Sequence, residues 1–308
     1  MMKQDYAVMG GVMLNDLYFA DGTSRKHLIG GGGLFALSGI RLWTDHVHFI
    51  GNIGRDFEEH IAPWWDANHI SRKGLNVCHN HCTYHRVDYH PDGTYQEGSI
   101  YDEGMRHDMY MVSHPEQIEP FAAGLKGLSM VWNVNPAELQ KIGELKKKYG
   151  FKVMFELNTF YCKHEYLEDI LSCLEHVDIY SVNLPEAKNI FQVDTEEACI
   201  ERMLAIGKPC FFRVGKKGSY VVMVGKAVFV PVVVGEHDMD PTGCGNSSTA
   251  AAGFAFAEGY DPLMIGLIAN VTSCMNAQQH GPMPVMDEAL REKSMALAKQ
   301  LYEKMKNE

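Results

Sequence analysis

Asp238-Met239-Asp240-Pro241-Thr242-Gly243-Cys244-Gly245-Asn246-Ser247-Ser248-Thr249-Ala250 runs from a proline turn through Gly-x-Gly straight into a helix of small residues. The first backbone N–H groups of such a helix have no intrahelical acceptor, and with the helix dipole they form a pocket for an anion. Glycines let a ligand approach the backbone closely. Ala250, Ala251, Ala252 and Gly253 let the helix lie tightly against a sheet. A transferring phosphoryl group suits this pocket. A plain glycine-rich turn from strand to helix has the same local composition, so the stretch alone leaves both readings open.

The flanking sequence supplies the architecture. Strands are expected at Phe211 to Val214, Tyr220 to Val224 and Val228 to Val233 ahead of the turn, and helices near Leu263 to Gln279 and Met286 to Lys306 after it. Upstream, Tyr6 to Met9 reads as a buried strand and Leu34 to Trp43 as a helix opened by Gly30-Gly31-Gly32-Gly33. Val47 to Ile50 reads as a strand, and Asp56 as the N-cap of a helix carrying Ile61, Trp64 and Trp65. Strands at Leu128 to Trp132, Lys152 to Glu156 and Val177 to Ser181 alternate with helices at Pro136 to Tyr149 and Glu165 to Leu174. That alternation predicts a mostly parallel sheet covered on both faces. Cys78 to Ile100 breaks it with a hairpin pattern turning at Pro91-Asp92-Gly93-Thr94, so a small β insert is expected.

Bulk properties narrow the class. The chain has 308 residues, 46% of them hydrophobic, enough for a large core in one α/β domain. Its longest apolar runs fall far short of the roughly 20 residues that cross a bilayer. Met1 to Tyr6 shows no export signal, so a cytoplasmic location is expected. The eight cysteines are scattered through core-like segments, which suits reduced thiols. A net charge of −11 disfavours nucleic acid. Cys78, His79, His81, Cys82 and His85 crowd one stretch, yet alternation along a strand splits them between two faces, against a zinc site.

Asp240-Pro241-Thr242-Gly243-Cys244-Gly245-Asn246 resembles the C-terminal signature of the ribokinase-like (PfkB) carbohydrate kinases, commonly Asp-Thr-x-Gly-Ala-Gly-Asp. Other segments resemble that family in the expected order: Gly30 to Phe35 its Gly-Gly motif, Phe49 to Phe57 the strand and loop that follow, Asn183-Leu184-Pro185-Glu186 its Asn-x-x-Glu element. Arg213 to Gly218 resembles its nucleotide-binding strand and turn, and Ala269-Asn270 the helix beside the adenine. The resemblance implies a single ribokinase-like α/β/α sandwich over residues 1–308, with a lid built from about 11–29 and 78–110. It implies ATP and Mg²⁺ as cofactors, a sugar or nucleoside as acceptor, and a possible role for a monovalent cation and for dimerisation through the lid.

Carried over residue by residue, Gly243, Cys244 and Gly245 are the anion hole, Asn246 takes the position of the catalytic base, and Asp240 lies beside it. Asn183, Glu186, Arg213, Gly215, Gly218 and Asn270 are expected at the nucleotide, Glu186 acting on Mg²⁺ indirectly. Asp16, Gly30, Gly31, Phe35, Arg86 and Asn158 are expected at the acceptor. Three positions depart from the family. Asn246 replaces an aspartate, and an amide takes up no proton near neutral pH; Asp238 or Asp240 is an alternative base. Phe35 replaces an asparagine, which fits either an acceptor with a ring or plain core packing. Glu156-Leu157-Asn158-Thr159-Phe160 stands where Asp-x-Asn-x-Arg is common. An idle nucleotide-binding regulator is the rival reading. A dehydrogenase using Gly30 to Gly33 is disfavoured, because that run is no Gly-x-Gly-x-x-Gly fingerprint.

Overall fold

Val8, Phe49, Met154, Phe211 and Val221 enter one hydrophobic core, while their chain neighbours Ala7, Ile50, Phe155, Phe212 and Val222 enter a second. Strands buried on both faces must divide their side chains this way, because successive residues point to opposite sides. The computed structural model describes residues 5–91, 95–102, 104–235 and 239–307. Most of the turn expected at 91–94, and Asp238, lie outside the described residues.

The chain opens with β1 (Asp5–Met9), β2 (Met13–Tyr18), β3 (Ser24–Gly30), α1 (Gly32–Arg41) and β4 (Val47–Gly54). Two short helices, α2 (Phe57–His60) and α3 (Ala62–Ala67), lead to β5 (Leu75–His79), β6 (Thr83–Tyr89), β7 (Tyr95–Ser99), α4 (Met105–Tyr110) and α5 (Glu119–Ala122). Then come β8 (Leu125–Trp132), α6 (Pro136–Tyr149), β9 (Lys152–Leu157), α7 (Leu167–Leu174), β10 (Ile179–Asn183), α8 (Leu184–Phe191), α9 (Glu196–Ile206) and β11 (Cys210–Arg213). β12 (Gly218–Met223) and β13 (Lys226–Pro231) precede α10 (Cys244–Glu258), α11 (Pro262–Asn276) and α12 (Glu288–Lys306).

Nine strands form one sheet in the order β13-β12-β11-β10-β9-β8-β1-β4-β5. Seven of them, β5 to β11 in that order, pair in parallel, and β12 and β13 extend the edge antiparallel. α1, α10 and α11 cover one face through Leu34, Leu37, Phe254, Ile265 and Ile268. α6 to α9 cover the other through Leu139, Ile142, Ile170, Ile190 and Met203. The result is the expected α/β/α sandwich. A second sheet has the order β3-β2-β6-β7.

Several local expectations change. The helix read from Asp56 is two pieces, since Pro63 stands in the first turn of α3 and restarts it. Asp56 gives α2 no side-chain cap; its Oδ1 accepts from the Cys82 amide at 2.7 Å. Cys78 and His79 belong to β5 at the edge of the large sheet, where Gly54 pairs with His79. β2 and β3 were not legible as strands, because β2 carries Asn15-Asp16 in its middle and β3 is mostly exposed. β2 and β3 also slip register between Asn15 and Leu17, and there His27 adopts φ 55°. The Oδ1 atom of Asp16 accepts from the His27 amide at 3.0 Å, which supports the bulge.

α1 and α10 cross at close range. A Cβ on Gly39 would lie 2.2 Å from the Ser247 carbonyl oxygen. α10 also presses on the sheet at Gly253, where a Cβ would lie 2.6 Å from that of Met154. Together these contacts fix where the Gly243 turn stands relative to the strand ends.

Candidate active site

Of the eight α-helices with eight or more residues, five are closed at their start by a side chain. Asn135 caps α6, Asn183 α8, Thr195 α9, Asp261 α11 and Asp287 α12, each accepting from a first-turn amide. α10 has no side-chain cap; it starts at Gly243, held at φ 76°. The Cys244 amide donates to the Pro241 carbonyl at 3.1 Å, and Ser247 donates to Gly243. Among the described residues, the amides of Gly245 and Asn246 are the first-turn donors left for an anion. Of the three amides expected at the anion, that of Cys244 is turned to the Pro241 carbonyl.

Beneath this turn lies a buried polar cluster. Glu156, 4% exposed, stands at the carboxyl end of β9. Its Oε1 is 3.0 Å from Arg213 Nη2, and its Oε2 accepts from Asn246 Nδ2 at 3.1 Å. Arg213 Nη2 is also 3.7 Å from Glu186 Oε2. That same oxygen accepts from the Asn183 amide at 2.8 Å, while Thr159 Oγ1 donates to Glu186 Oε1 at 2.8 Å. Asn183 and Glu186 thus form a capping box that also reaches the arginine. A Cβ on Gly245 would come within 2.1 Å of Arg213 Nη1, so the guanidinium lies flush against the helix start.

Burial drives the Glu156 carboxyl above its ordinary range; Arg213 and the Asn246 amide pull it back, and Glu186 pushes it up again. Two carboxylates sharing one guanidinium in low dielectric leave this cluster negatively biased when both are ionised.

A cavity of about 700 Å³ opens above the cluster. Cys244, Gly245 and Ser248 line it from α10, Asn183 and Arg213 from the strand ends, and Gly215, Gly218 and Asn270 from the far wall. Gly218, at φ 130°, has no room for a Cβ, which would stand 2.2 Å from the Val230 carbonyl oxygen. Asn270 accepts from Ser219 Oγ at 3.0 Å and donates to the carbonyls of Val230 and Pro231, tying α11 to the β12–β13 edge. Asp240 lines the cavity as well, but its Oδ1 accepts from the Thr242 amide at 2.8 Å and its Oδ2 is 3.1 Å from His280 Nδ1.

The acceptor-side residues meet less completely. Gly31 begins α1 at φ 97°, and a Cβ on Gly32 would lie 3.3 Å from Asn246 Nδ2, so the two glycine turns face each other. Phe35 is 4% exposed, its ring pressed on Gly243 and close to Gly30, which places it in the packing between the turns. Asn15 Nδ2 lies 2.9 Å from where a Cβ on Gly30 would stand. Asp16, its chain neighbour, accepts instead from Tyr84 Oη at 2.7 Å and from His27. Arg86 is engaged by Asp88 through two bonds of 2.7 Å and covers the Tyr18 ring at 4.0 Å. Asn158 caps the short turn after β9 by accepting from the Phe160 amide and donates to Asn133.

Gly243, Gly245, Asn246, Asn183, Glu186 and Arg213 therefore converge, whereas Arg86 and Asn158 make contacts of their own. Sequence reasoning missed Asn15, for which the bulge at His27 was the deciding and unreadable signal. It also missed Thr159 and the joining of Glu156 to Asn246.

A family model described as pfkB family carbohydrate kinase matches residues 6–289. An uncharacterised protein of Schizosaccharomyces pombe is 25% identical over 209 residues, 63% of this chain and 54% of that one. A nucleoside kinase of Methanocaldococcus jannaschii is 28% identical over 117 residues, 37% of each chain. These matches span about half of the first relative's length and little over a third of the second's. Among solved structures, adenosine kinase from Sinorhizobium meliloti superposes with a TM-score of 0.75 at 16% identity, covering 96% of this chain and 99% of that one. Arabidopsis thaliana ribokinase, complexed with ribose and ATP, gives 0.73 at 16% identity, over 97% and 99%. Burkholderia thailandensis nucleoside kinase, in complex with inosine, gives 0.72 at 15% identity, over 96% and 98%.

Proposed function

The chain belongs to the pfkB family of carbohydrate kinases, and from that premise we propose that it transfers the terminal phosphate of ATP to a hydroxyl of a small sugar or nucleoside. One observation carries this reading: the uncapped, glycine-started α10 sets Cys244, Gly245 and Ser248 against a cavity of about 700 Å³ walled by Arg213, Gly218 and Asn270. The adenine and ribose of ATP lie against the Gly218–Asn270 wall, and the phosphates run toward α10. Donors already in place at the transition state cost nothing to reorganise, which is where most of the rate gain in phosphoryl transfer arises.

Mg²⁺ fits here in an outer role. Both Glu186 oxygens already accept hydrogen bonds, and no cluster of three or more His, Cys, Asp or Glu side chains able to hold a metal occurs among the described residues. Glu186 and Asn183 would hold its water shell, and the ion would supply neutralisation of phosphate charge.

The acceptor lies between Asn15, Gly30, Gly31 and Asn246, with the β3-β2-β6-β7 sheet as a lid. Closure of that sheet excludes water and so limits wasteful ATP hydrolysis. The relatives that bind ribose, inosine or adenosine support a furanose-bearing acceptor.

Steady-state ADP release with MgATP and a panel of ribose, adenosine, inosine and cytidine tests the reading. Release that saturates with one acceptor is expected. ATP binding by calorimetry with no acceptor-dependent release would instead support the nucleotide-binding regulator, a reading favoured by the amide at Asn246.

A further inference from the structure

Glu156 is a buried carboxylate at the floor of the site, and the anion-hole reading gives it no task. Its bond to Asn246 is informative. The 3.1 Å contact is a donation from Asn246 Nδ2 to Glu156, and the same Nδ2 lies 3.3 Å from where a Cβ on Gly32 would stand, so the amide nitrogen sits between the carboxylate and the acceptor turn. Through its second N–H the amide can donate to a hydroxyl oxygen and leave the hydroxyl proton free, but it cannot remove that proton. The carboxylate touching the amide is Glu156. Asp240, near in sequence, has one oxygen on the Thr242 amide and the other beside His280.

Resting on the phosphotransfer proposed above, we infer that Glu156 is the proton acceptor of the reaction and that Asn246 is the positioning residue holding the acceptor hydroxyl beside it. The hydroxyl oxygen forms a bond to the terminal phosphorus of ATP as the bond from that phosphorus to the bridging oxygen breaks. ADP leaves with the electron pair, and the hydroxyl proton passes to Glu156 Oε2, directly or through one water. In a loose transition state the hydroxyl sheds its proton late, after it has become strongly acidic, so a carboxylate at this range suffices.

The surroundings suit the role. The groups facing Glu156 are Arg213 from β11, Glu186 from α8, Asn246 from α10 and the Cys162 thiol that follows β9. Burial pushes that thiol up to about 12, so it stays neutral and does not compete for the proton. Burial raises Glu156 and makes it a stronger base than an exposed carboxylate, while Arg213 and the Asn246 amide oppose that rise.

The test compares Glu156→Gln, Asn246→Asp and the double variant of the full chain, with MgATP and the acceptor panel named above. Glu156→Gln should lower kcat by about 10²–10⁴-fold, the usual worth of a general base. It should also remove the acidic limb of the kcat–pH profile, a loss that a purely structural role would not cause. Adding Asn246→Asp to Glu156→Gln moves the carboxylate across one hydrogen bond and should recover at least about tenfold. If Glu156→Gln fails to fold by thermal melting, Glu156→Asp serves: it should be slower yet keep an acidic limb, and an unchanged kcat would count against the role.

Turnover by Glu156→Gln within about tenfold of the wild type would overturn the inference alone. So would an acidic limb that survives in it, or a hundredfold gain from Asn246→Asp by itself, which would mean that the base is simply missing. A wild-type chain with no acceptor-dependent ADP release would bring down the kinase reading and this inference together.

Discussion

Arg213 and Gly245 meet at the junction of β11 and α10, where the polar atoms of Glu156, Glu186 and Asn183 are tied to residues far apart in the chain. On the opposite wall, Asp16, Tyr84 and His27 hold together a four-stranded sheet whose β3 and β7 edges are largely exposed to water. The first region is over-determined, so its geometry is ready before a ligand arrives. The second buries Leu14, Leu17, Tyr84 and Val87 on one side only, and its exposed edges make it the less constrained of the two, as closing elements are. On the function proposed above, phosphate binding would depend on the fixed region and acceptor binding on the one that closes.

The contrast breaks most sharply at Gly243. Gly243→Ala would put a methyl 2.1 Å from two carbons of the Phe35 ring, at φ 76°. Backbone strain and overpacking each cost about 1–3 kcal/mol, so a loss of about 3 kcal/mol in denaturant unfolding is expected. ADP release should fall at least about a hundredfold, because a displacement near 1 Å in a phosphate cradle is enough for that. A tolerated alanine would show the cradle to be as soft as the lid.

Asn15→Ala sharpens the contrast from the other side. Losing one acceptor hydrogen bond should raise the acceptor KM about tenfold and leave the ATP KM and the melting temperature nearly unchanged. Equal changes in both KM values would mean that the two walls are coupled.

The smallest effect belongs to His85. Burial disfavours its charge, but Asp108 and Glu97, at 3.1 Å and 2.6 Å, overcome that and raise its pKa to about 9. Because the folded value lies above the unfolded one, this clip between β6, β7 and α4 is fully formed below about pH 6.5 and is lost as pH rises through about 9. Amide exchange along β7, corrected for intrinsic rates, should speed up between pH 8 and 10, while exchange in β9 and β10 does not.

Much of this was readable in the residues. The β/α alternation, the glycine turns and the Asn183–Glu186 spacing each express a local rule, and a capping box needs only four consecutive positions. Asn15 was hidden because its identity as the inward residue depends on a one-residue bulge three-dimensionally supported by Asp16. The Glu156–Arg213 pair was hidden because nothing local links β9 to β11; only the parallel sheet, with β10 between them, brings their carboxyl ends together. Phe35 is open between ligand and core in the sequence because what decides it, Gly243 against its ring, is far away in the chain.

With no room even for a methyl at Gly39 against the Ser247 carbonyl, α1 and α10 have no play between them. They behave as one girder carrying both glycine turns, so neither turn can tilt without dragging the other. A hinge for the proposed lid would have to lie outside that girder, at the Gly10–Gly11 and Gly30 junctions where the small sheet departs from it, and its stroke would be set there.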